Sequence, residues 1–481
     1  MVFASLEFLT LFLPVFFAFY FLTPQRYRNH TLLFGSWLFY AWWTPKFLIL
    51  IIFLTIVSWL AAILIDKSAC EKYKTRIMAA AIIVNLASLA WYKYANVVVR
   101  SLNDLFGSAD HPLIVWETVF LPIALSFTVL HATSYLVDVR RGVVQAQYRF
   151  TFFSAYIAMF PHLIAGPIVR YRVIEKELKE RFFSAEEFAT GVRRFMIGFA
   201  MKVLIADPLS PMVDLVFKQT APSLIDAWVG CGAYTIQLYF DFAGYSLMAI
   251  GLGLMLGFKF EPNFNNPYLA LSIQDFWRRW HLTLSSWLRD YLYISLLGGN
   301  RDGQTRTYVN LMLTMSIGGL WHGGESWNFL IWGIIHGSAL CIARAYNHAG
   351  YRIPDLASRV LTLLVVMLAW TVFRATDFHA ALAMWGGQFG LNGVAMGDAV
   401  SLALRPTVYA SFAAGILCIV YPATRYAATG WWIFGSRSWR ATSRAASMLV
   451  CRIVSSWLRL PVKRPVFTSM EISASVGSMI R

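Results

Sequence analysis

Long apolar runs separated by short charged loops constrain the folding of this 481-residue chain more than any other feature. Apolar residues make up 58% of the chain and charged residues 14%, and the mean hydropathy is +0.56. A run of about 20 apolar residues can cross the hydrocarbon layer as a helix. The sequence therefore predicts an all-α polytopic membrane protein with about 11–12 membrane segments, including re-entrant segments, together with interfacial helices. The predicted segments are 3–22, 31–44, 47–65, 77–99, 113–137, 150–169, 188–206, 227–258, 308–322, 327–345, 358–373 and 402–421.

The loops that join these segments carry an alternating charge. Basic loops near 26–28, 67–76 and 140–149 alternate with an acidic loop near 104–110. By the positive-inside rule the basic loops face the cytoplasm and the N-terminus faces outward. The formal charge of +16 is attributed to these basic loops, which are expected to contact anionic lipid headgroups. Membrane lipids and not nucleic acid are therefore the expected partners.

Two prolines and a glycine interrupt the apolar stretch at 161–171, and a densely charged loop follows at 172–187. A re-entrant hairpin there keeps the charged loop inside, because irregular backbone at membrane depth is tolerated where it lines a protein cavity. The acidic loop 207–226 then falls outside, and 259–307 becomes a long cytoplasmic segment.

Two histidines, His322 and His336, lie inside the apolar run 318–337. An ionisable side chain at membrane depth is costly and therefore indicates function. Imidazole also exchanges a proton near neutral pH. The alternatives are a neutral core histidine bonded to a helix carbonyl for His322, and a supporting or packing role for His336. His131, His162 and His281 are interpreted as structural or interfacial.

An apolar stripe runs through the cytoplasmic segment 272–301 at intervals of three and four residues, which predicts one amphipathic helix in or under the membrane interface. The stripe comprises Phe276, Trp280, Leu284, Trp287 and Tyr291. The segment is either an interfacial anchor or a donor site. In the second case Arg278, Arg279 and Arg301 would hold the phosphates of a cytosolic donor, since guanidinium binds phosphate bidentately.

Asp241 lies in the middle of a long apolar segment. A buried carboxyl group must be paired or protonated. Asp241 is therefore predicted either to join a polar network that clamps two helices or to support catalysis.

Several longer motifs together resemble the bacterial polysaccharide-acetylating branch of the membrane-bound O-acyltransferase (MBOAT) family. The motifs are PHLIAGP (161–167), QLYFDFAGYSLMAIG (237–251), FWRRWHLTLSSWLRDYLYI (276–294), GGNR (298–301), GGLWHG (318–323) and WGIIHG (332–337). The resemblance runs from residue 1 to about 375. It implies an acyltransferase fold with a funnel from the cytosol and an intramembrane catalytic histidine at His322.

The resemblance also implies an activity. The acetyl group is expected to come from a cytosolic thioester, acetyl-CoA, and to cross the bacterial inner membrane to an extracytoplasmic acetyltransferase partner within a polysaccharide synthesis and export complex. Alginate or cellulose would be the acetylated exopolysaccharide. In this chemistry His322 is the general base, with His336 and Asp241 as supporting or second catalytic residues. No metal and no tightly bound cofactor are expected.

Two other functions stay open at this stage. The first is a proton-coupled secondary transporter or flippase that uses the intramembrane histidines. The second is a scaffold for an acetylation complex, although buried histidines are an expensive way to make a passive surface. Residues 1–425 are predicted to form one acyltransferase-like membrane domain. Residues 426–481 form a basic tail of uncertain structure, in which 447–460 is a candidate amphipathic surface helix.

Overall fold

The computed structural model describes residues 2–42, 44–107 and 113–421, and every regular element in these ranges is a helix. The chain divides into two compact units, Met1–Phe412 and one that begins at Ala413. The fold described below is that of the first unit. The predicted tail 426–481 and its candidate helix lie outside the described residues.

Eighteen labels are used for the helices of the described ranges, and two three-residue 3-10 turns, Gln25–Tyr27 and Pro267–Leu269, are left without a label. They are α1 (Phe8–Leu22), α2 (Arg28–Ala41), α3 (Pro45–Lys67), α4 (Glu71–Phe106), α5 (Leu125–Arg140), α6 (Phe150–Ala158), α7 (Phe160–Leu163), α8 (Tyr171–Lys179), α9 (Ala185–Phe217), α10 (Leu224–Met255), α11 (Ile273–Trp277), α12 (Leu282–Trp287, continued by a π turn over Leu288–Tyr293), α13 (Gly303–His322), α14 (Asn328–His348), α15 (Asp355–Arg374), α16 (Phe378–Gln388), α17 (Asp398–Ala403) and α18 (Pro406–Val420).

The predicted membrane architecture is confirmed in its main features. In the described ranges six helices are long and apolar enough to cross a membrane, namely α3, α4, α9, α10, α14 and α15. Two more apolar helices, α1 and α18, are shorter. The helix α10 lies at the centre of the fold, since 72% of its most apolar window is buried.

The region predicted to be re-entrant departs from a simple span. The helix α6 has nine residues and is about 14 Å long, which is too short to cross a hydrocarbon layer of about 30 Å. The chain breaks at Met159, forms the single turn α7 and continues without regular structure to Arg170. This shape agrees with the re-entrant hairpin.

Three sequence-based element boundaries are wrong. The predicted span 113–137 is helical only from Leu125, because 113–124 is an irregular strap whose backbone is held by Asn96 and Asn103 of α4. The first half of the predicted acidic loop 207–226 is helical, because α9 does not end until Phe217.

The third concerns 272–301, which is broken into the short helices α11 and α12. The break falls at His281, whose φ of 43° lies in the left-handed region. The apolar stripe predicted to face the membrane interface is buried inside the protein, with relative exposures between 1% and 9%. Trp280, for example, packs against Trp370 of α15 at 5.0 Å between ring centroids. The interfacial-anchor interpretation is therefore wrong.

Candidate functional site

The helices α13 and α14 form the antiparallel hairpin that carries both candidate histidines. Glycines allow these two helices to approach closely. A Cβ added at Gly319 would lie 2.2 Å from the carbonyl oxygen of Phe329, and one added at Gly333 would lie 2.4 Å from that of Met315. No side chain fits at either position, so the glycines of the two sequence motifs determine how near the histidine-bearing segments lie to each other.

His322 is the last residue of α13 and remains partly exposed. Its imidazole is surrounded by aromatic rings: the centroid distances are 4.9 Å to Trp321, 5.3 Å to Trp332 and 5.5 Å to Phe373. A partly exposed imidazole within apolar walls is accessible to a substrate while the walls exclude bulk water. This arrangement suits a group that takes up and returns a proton.

His336 lies two turns of helix further along the hairpin and is completely buried. Its Nδ1 accepts a hydrogen bond from the indole Nε1 of Trp277 at 3.3 Å, whereas its Nε2 has no partner within the described residues. The ring of Trp332 contacts both imidazoles, at 5.3 Å from His322 and 4.7 Å from His336. The structure therefore brings the two predicted histidines into contact with the same tryptophan ring.

Two side chains of α4 hold the end of the helix that presents His322. The Lys93 Nζ donates to the carbonyl oxygen of Trp321, and the Tyr94 hydroxyl donates to that of Leu320 at 2.6 Å. These carbonyls belong to the last turn of α13, where intrahelical donors are lacking and a cation is favoured. Lys93 is 4% exposed and has no carboxylate partner among the described residues. Sequence reasoning did not select Lys93, because only the packing shows where α4 meets α13.

The turn that follows His322 is also held against α4. The Trp327 indole donates to the Ser101 hydroxyl at 2.9 Å, and a Cβ on Gly324 would lie 2.7 Å from the carbonyl oxygen of Lys93. The position of His322 is thus set by contacts on both sides of it in the chain.

His281 is a third histidine near the centre, although the sequence suggested a structural or interfacial role. It is 1% exposed, and its Nδ1 lies 3.0 Å from the Asn263 carbonyl oxygen. It is near enough to His322 to interact with it electrostatically, as are Lys93 and His336. The backbone of His281 is left-handed, and no sequence pattern predicts such a conformation at a histidine.

Asp241 is part of an ion pair that joins two helices. Its carboxylate lies 2.6 Å from the Lys202 ammonium, which also contacts Asp207 at 3.0 Å. Within the described ranges, no hydrogen bond or ion pair of Asp241 reaches His322 or His336. The geometry fits the helix-clamp alternative, and a direct catalytic role for Asp241 has no contact to support it.

The three candidate donor-binding arginines differ in their surroundings. Arg279 pairs with Asp275 at 2.9 Å, which neutralises part of its charge. Arg278 and Arg301 are exposed, and no carboxylate pairs with either among the described residues. Arg278 directly follows Trp277, the residue bonded to His336, so an exposed cation lies next in the chain to the histidine centre.

A separate ion pair stabilises the same segment, 272–301. Arg170 contacts Asp290 at 2.8 Å and donates to the Ser286 hydroxyl at 2.9 Å. Burial alone would raise the pKa of Asp290, but hydrogen bonds from Arg289 and Arg170 lower it below its usual range. Asp290 is therefore ionised at neutral pH and holds α12 against the irregular chain that follows α7.

The buried pair His131 and His162 lies apart from these contacts. Their rings meet edge to face at 4.7 Å, and none of their four ring nitrogens has a partner among the described residues. Both rings also pack against Tyr156, at 5.6 and 6.2 Å. Both rings are fully buried, and the structural role of these two histidines stays a prediction.

This helical membrane protein places two imidazoles against one tryptophan, and one of them, His322, ends a helix among aromatic rings. Such an arrangement suits an intramembrane acyl-transfer enzyme. Comparison with known proteins defines the class. The sequence model described as MBOAT, membrane-bound O-acyltransferase family, matches residues 68–375. The chain belongs to the membrane-bound O-acyltransferase family and is an O-acyltransferase.

Individual relatives are similar over most of the chain. The chain is 46% identical over 400 residues to a probable alginate O-acetylase of Azotobacter vinelandii, covering 83% of this chain and 80% of the relative. It is 37% identical over 427 residues to a peptidoglycan O-acetyltransferase of Helicobacter pylori, covering 81% and 80%. A teichoic acid D-alanyltransferase of Bacillus subtilis is 24% identical over 314 residues, covering 60% and 79%.

Proposed function

We propose that this protein takes an acetyl group from a cytosolic thioester, acetyl-CoA, and passes it across the bacterial inner membrane for the O-acetylation of an exopolysaccharide. The observation that carries the proposal is the position of His322, at the end of a helix in an aromatic pocket and beside His336. The similarity to enzymes named for alginate and peptidoglycan O-acetylation supports an acetyl group and a polysaccharide, with alginate as the first polymer to test.

In the proposed reaction His322 is the general base. Its imidazole takes the proton from an acceptor hydroxyl, and the hydroxyl oxygen attacks the thioester carbonyl. The carbon–sulfur bond then breaks, and the thiolate receives the proton back from the imidazolium. An ester and a free thiol result, so the atoms balance without a metal or a redox cofactor.

His336 has a different role in this scheme. Its Nδ1 accepts a hydrogen bond from Trp277, so its neutral ring carries the proton on Nε2. A buried Nε2–H without a partner is suited to donate a hydrogen bond to the oxygen on which charge develops during the attack. Base and hydrogen-bond donor are thus assigned to different histidines.

The donor is expected to approach from the cytoplasmic segment 259–307. Arg278 and Arg301 are exposed cations with no carboxylate partner among the described residues. Their guanidinium groups are therefore free to bind phosphate groups. The acceptor side is expected to meet an extracytoplasmic acetyltransferase partner, which belongs with the polysaccharide synthesis and export complex.

The test is transfer of label in inside-out vesicles that contain the purified protein, with and without the extracytoplasmic partner. Acetyl-CoA is labelled on the acetyl group in one sample and on the coenzyme in another. We expect acetyl label to reach the acceptor while the coenzyme label stays on the donor side. His322→Ala should abolish the transfer, whereas the exposed His379→Ala should not change it.

Two results would contradict the proposal. Passage of both labels together would mean that intact acetyl-CoA is transported. Normal acetylation by a well-inserted His322→Ala protein would remove His322 as the base. A proton-coupled transporter would instead take up a solute without any acyl transfer.

A further inference from the structure

A lengthwise groove separates α1 and α2 on the outside of the helix bundle and encloses about 700 Å³. Its apolar walls recur at intervals of four residues along both helices. They are Leu11, Val15 and Phe19 on α1, Phe34 and Leu38 on α2, and Trp42 directly after α2. The floor is formed where Gly35 allows the Phe16 ring to lie against α2, because a Cβ on Gly35 would come within 2.4 Å of that ring.

One end of the groove is polar and basic. Thr23, Tyr27, His30 and Thr31 line it there, at the turn that joins the two helices. Arg26 and Arg28 lie in the same turn. Arg28 Nε donates to the carbonyl oxygen of Thr23 at 3.3 Å, and the Arg26 guanidinium contacts the Tyr27 hydroxyl.

No carboxylate balances the charge at this end among the described residues. Neither arginine is in an ion pair there, and none of the groove-lining residues is acidic. The arginines flank the groove and do not line it: the Arg26 guanidinium lies over the Tyr27 ring, and the Arg28 guanidinium lies over the Tyr20 and Phe21 rings. Two guanidinium groups beside the polar end of an apolar groove suit an anion that is continuous with an apolar chain.

The dimensions of the groove match one leaflet of a bilayer. From Thr23 to Leu11 the groove follows twelve residues of helix, or about 18 Å at about 1.5 Å per residue. Half of a hydrocarbon layer of about 30 Å is about 15 Å. By the positive-inside rule the turn with Arg26 and Arg28 faces the cytoplasm, where the leaflet is rich in anionic lipid.

We propose that the groove between α1 and α2 binds one anionic phospholipid of the cytoplasmic leaflet, with its phosphate at Arg26 and Arg28 and an acyl chain along Val15 and Leu38. The bound lipid fills the space between the two helices. This site is separate from the histidine centre, so the proposal does not depend on the acyltransferase mechanism.

The experiment is a titration of the purified full-length protein in detergent, with bound lipid counted by native mass spectrometry. The probes are dioleoylphosphatidylglycerol, which is anionic, and dioleoylphosphatidylcholine, which is zwitterionic with the same chains. We expect the first phosphatidylglycerol to bind about tenfold more tightly than phosphatidylcholine, because two basic residues meet its headgroup.

Variants distinguish the headgroup site from the acyl-chain site. Arg26→Gln combined with Arg28→Gln should abolish the preference for phosphatidylglycerol, and Val15→Trp should weaken both lipids by filling the groove. Two matched controls should leave the preference unchanged: Arg76→Gln, an exposed basic residue at the start of α4, and Leu86→Trp, an exposed apolar residue of the same helix.

Three outcomes would overturn the proposal. One is equal affinity of the wild-type protein for both lipids, which would reduce the groove to a nonspecific apolar surface. Another is wild-type lipid affinity in Val15→Trp. The third is an equal loss of preference in Arg76→Gln, which would assign the effect to net charge. Elution of each variant at the wild-type volume in size-exclusion chromatography shows that it is folded.

Discussion

Trp277 donates its indole N–H to Nδ1 of His336 at 3.3 Å. An indole nitrogen can only donate, so Nδ1 must be the acceptor and the proton of the neutral imidazole must be on Nε2. A short helix far from α14 in the sequence thereby determines which nitrogen of a buried histidine is a donor. His336 is suited to donate a hydrogen bond, whereas His322 is the base of the proposed reaction.

The first prediction concerns this donor. His336→Leu removes the Nε2–H and should lower the rate of acetyl transfer by about a hundredfold, the usual effect of losing one donor to a developing oxyanion. His336→Gln places an amide N–H near the same point and should retain more activity than His336→Leu. The measurement is the initial rate of label transfer from acetyl-CoA at saturating donor.

A double variant tests whether Trp277 acts through His336. Trp277→Phe should lower the rate less than His336→Leu does, and the combined variant should be no slower than His336→Leu alone. Additive losses in the combined variant would show that Trp277 has an independent role.

The second prediction concerns Lys93, which holds the last turn of α13. Lys93→Met should lower kcat by up to about a hundredfold, because a small displacement of the base has a large effect on rate. The KM for the donor should not change, since Lys93 is buried and its hydrogen bonds are with α13 and Ser126, not with Arg278 or Arg301.

Lys93→Arg keeps the cation and should restore part of kcat, and the exposed Lys46→Met serves as a matched control. A rise in KM with unchanged kcat would show that Lys93 does not position His322.

The third prediction concerns the close contact of α13 and α14. Gly319→Val and Gly333→Val both force a side chain into backbone of the facing helix and should lower the free energy of unfolding by about 3 kcal/mol. Gly232→Ala on α10 is the control, because its nearest neighbour is 3.8 Å away. Thermal unfolding in detergent measures the effect, and a wild-type melting temperature in both valine variants would contradict the close packing.

The fourth prediction separates the two interpretations of Asp241. Asp241→Asn leaves the Lys202 ammonium with only Asp207, and should destabilise the protein by about 3 kcal/mol. Combining it with Lys202→Met should recover stability and acetyl transfer together if Asp241 is a helix clamp. Recovery of stability without activity would instead make Asp241 a catalytic residue.

The fifth prediction concerns the donor site. Arg278→Gln combined with Arg301→Gln should raise the KM for acetyl-CoA about tenfold, and the wild-type KM should rise with ionic strength. Arg279→Gln should have a smaller effect, because Asp275 already neutralises part of its charge. The exposed Arg306→Gln controls for net charge, and an equal effect of all four substitutions would exclude a specific phosphate site.

Residues 272–301 show where prediction from sequence fails. The apolar residues recur at helical intervals, so one interfacial helix was the expected element. Periodicity shows which residues would share a face of a helix, but not whether the helix is continuous. Here the helix is interrupted at His281, whose φ is 43°. An apolar stripe has the same sequence pattern whether it faces lipid or the protein interior. The structure shows that this stripe faces the protein interior, where Trp280 packs against α15.

The sequence by itself determined that the protein folds in a membrane and which residue is the candidate base. Apolar runs of membrane length imply helices, because in lipid each backbone polar group must be satisfied within its own helix. The glycines around His322 and His336 are local features of the same kind. Only the tertiary structure decided what surrounds these histidines. The indole N–H that Trp277 donates to His336, the hydrogen bond from Lys93 to the last turn of α13 and the position of His281 all depend on segments distant in the chain. Contacts of this kind depend on how helices pack, and packing is a property of complementary surfaces that no single stretch of sequence contains.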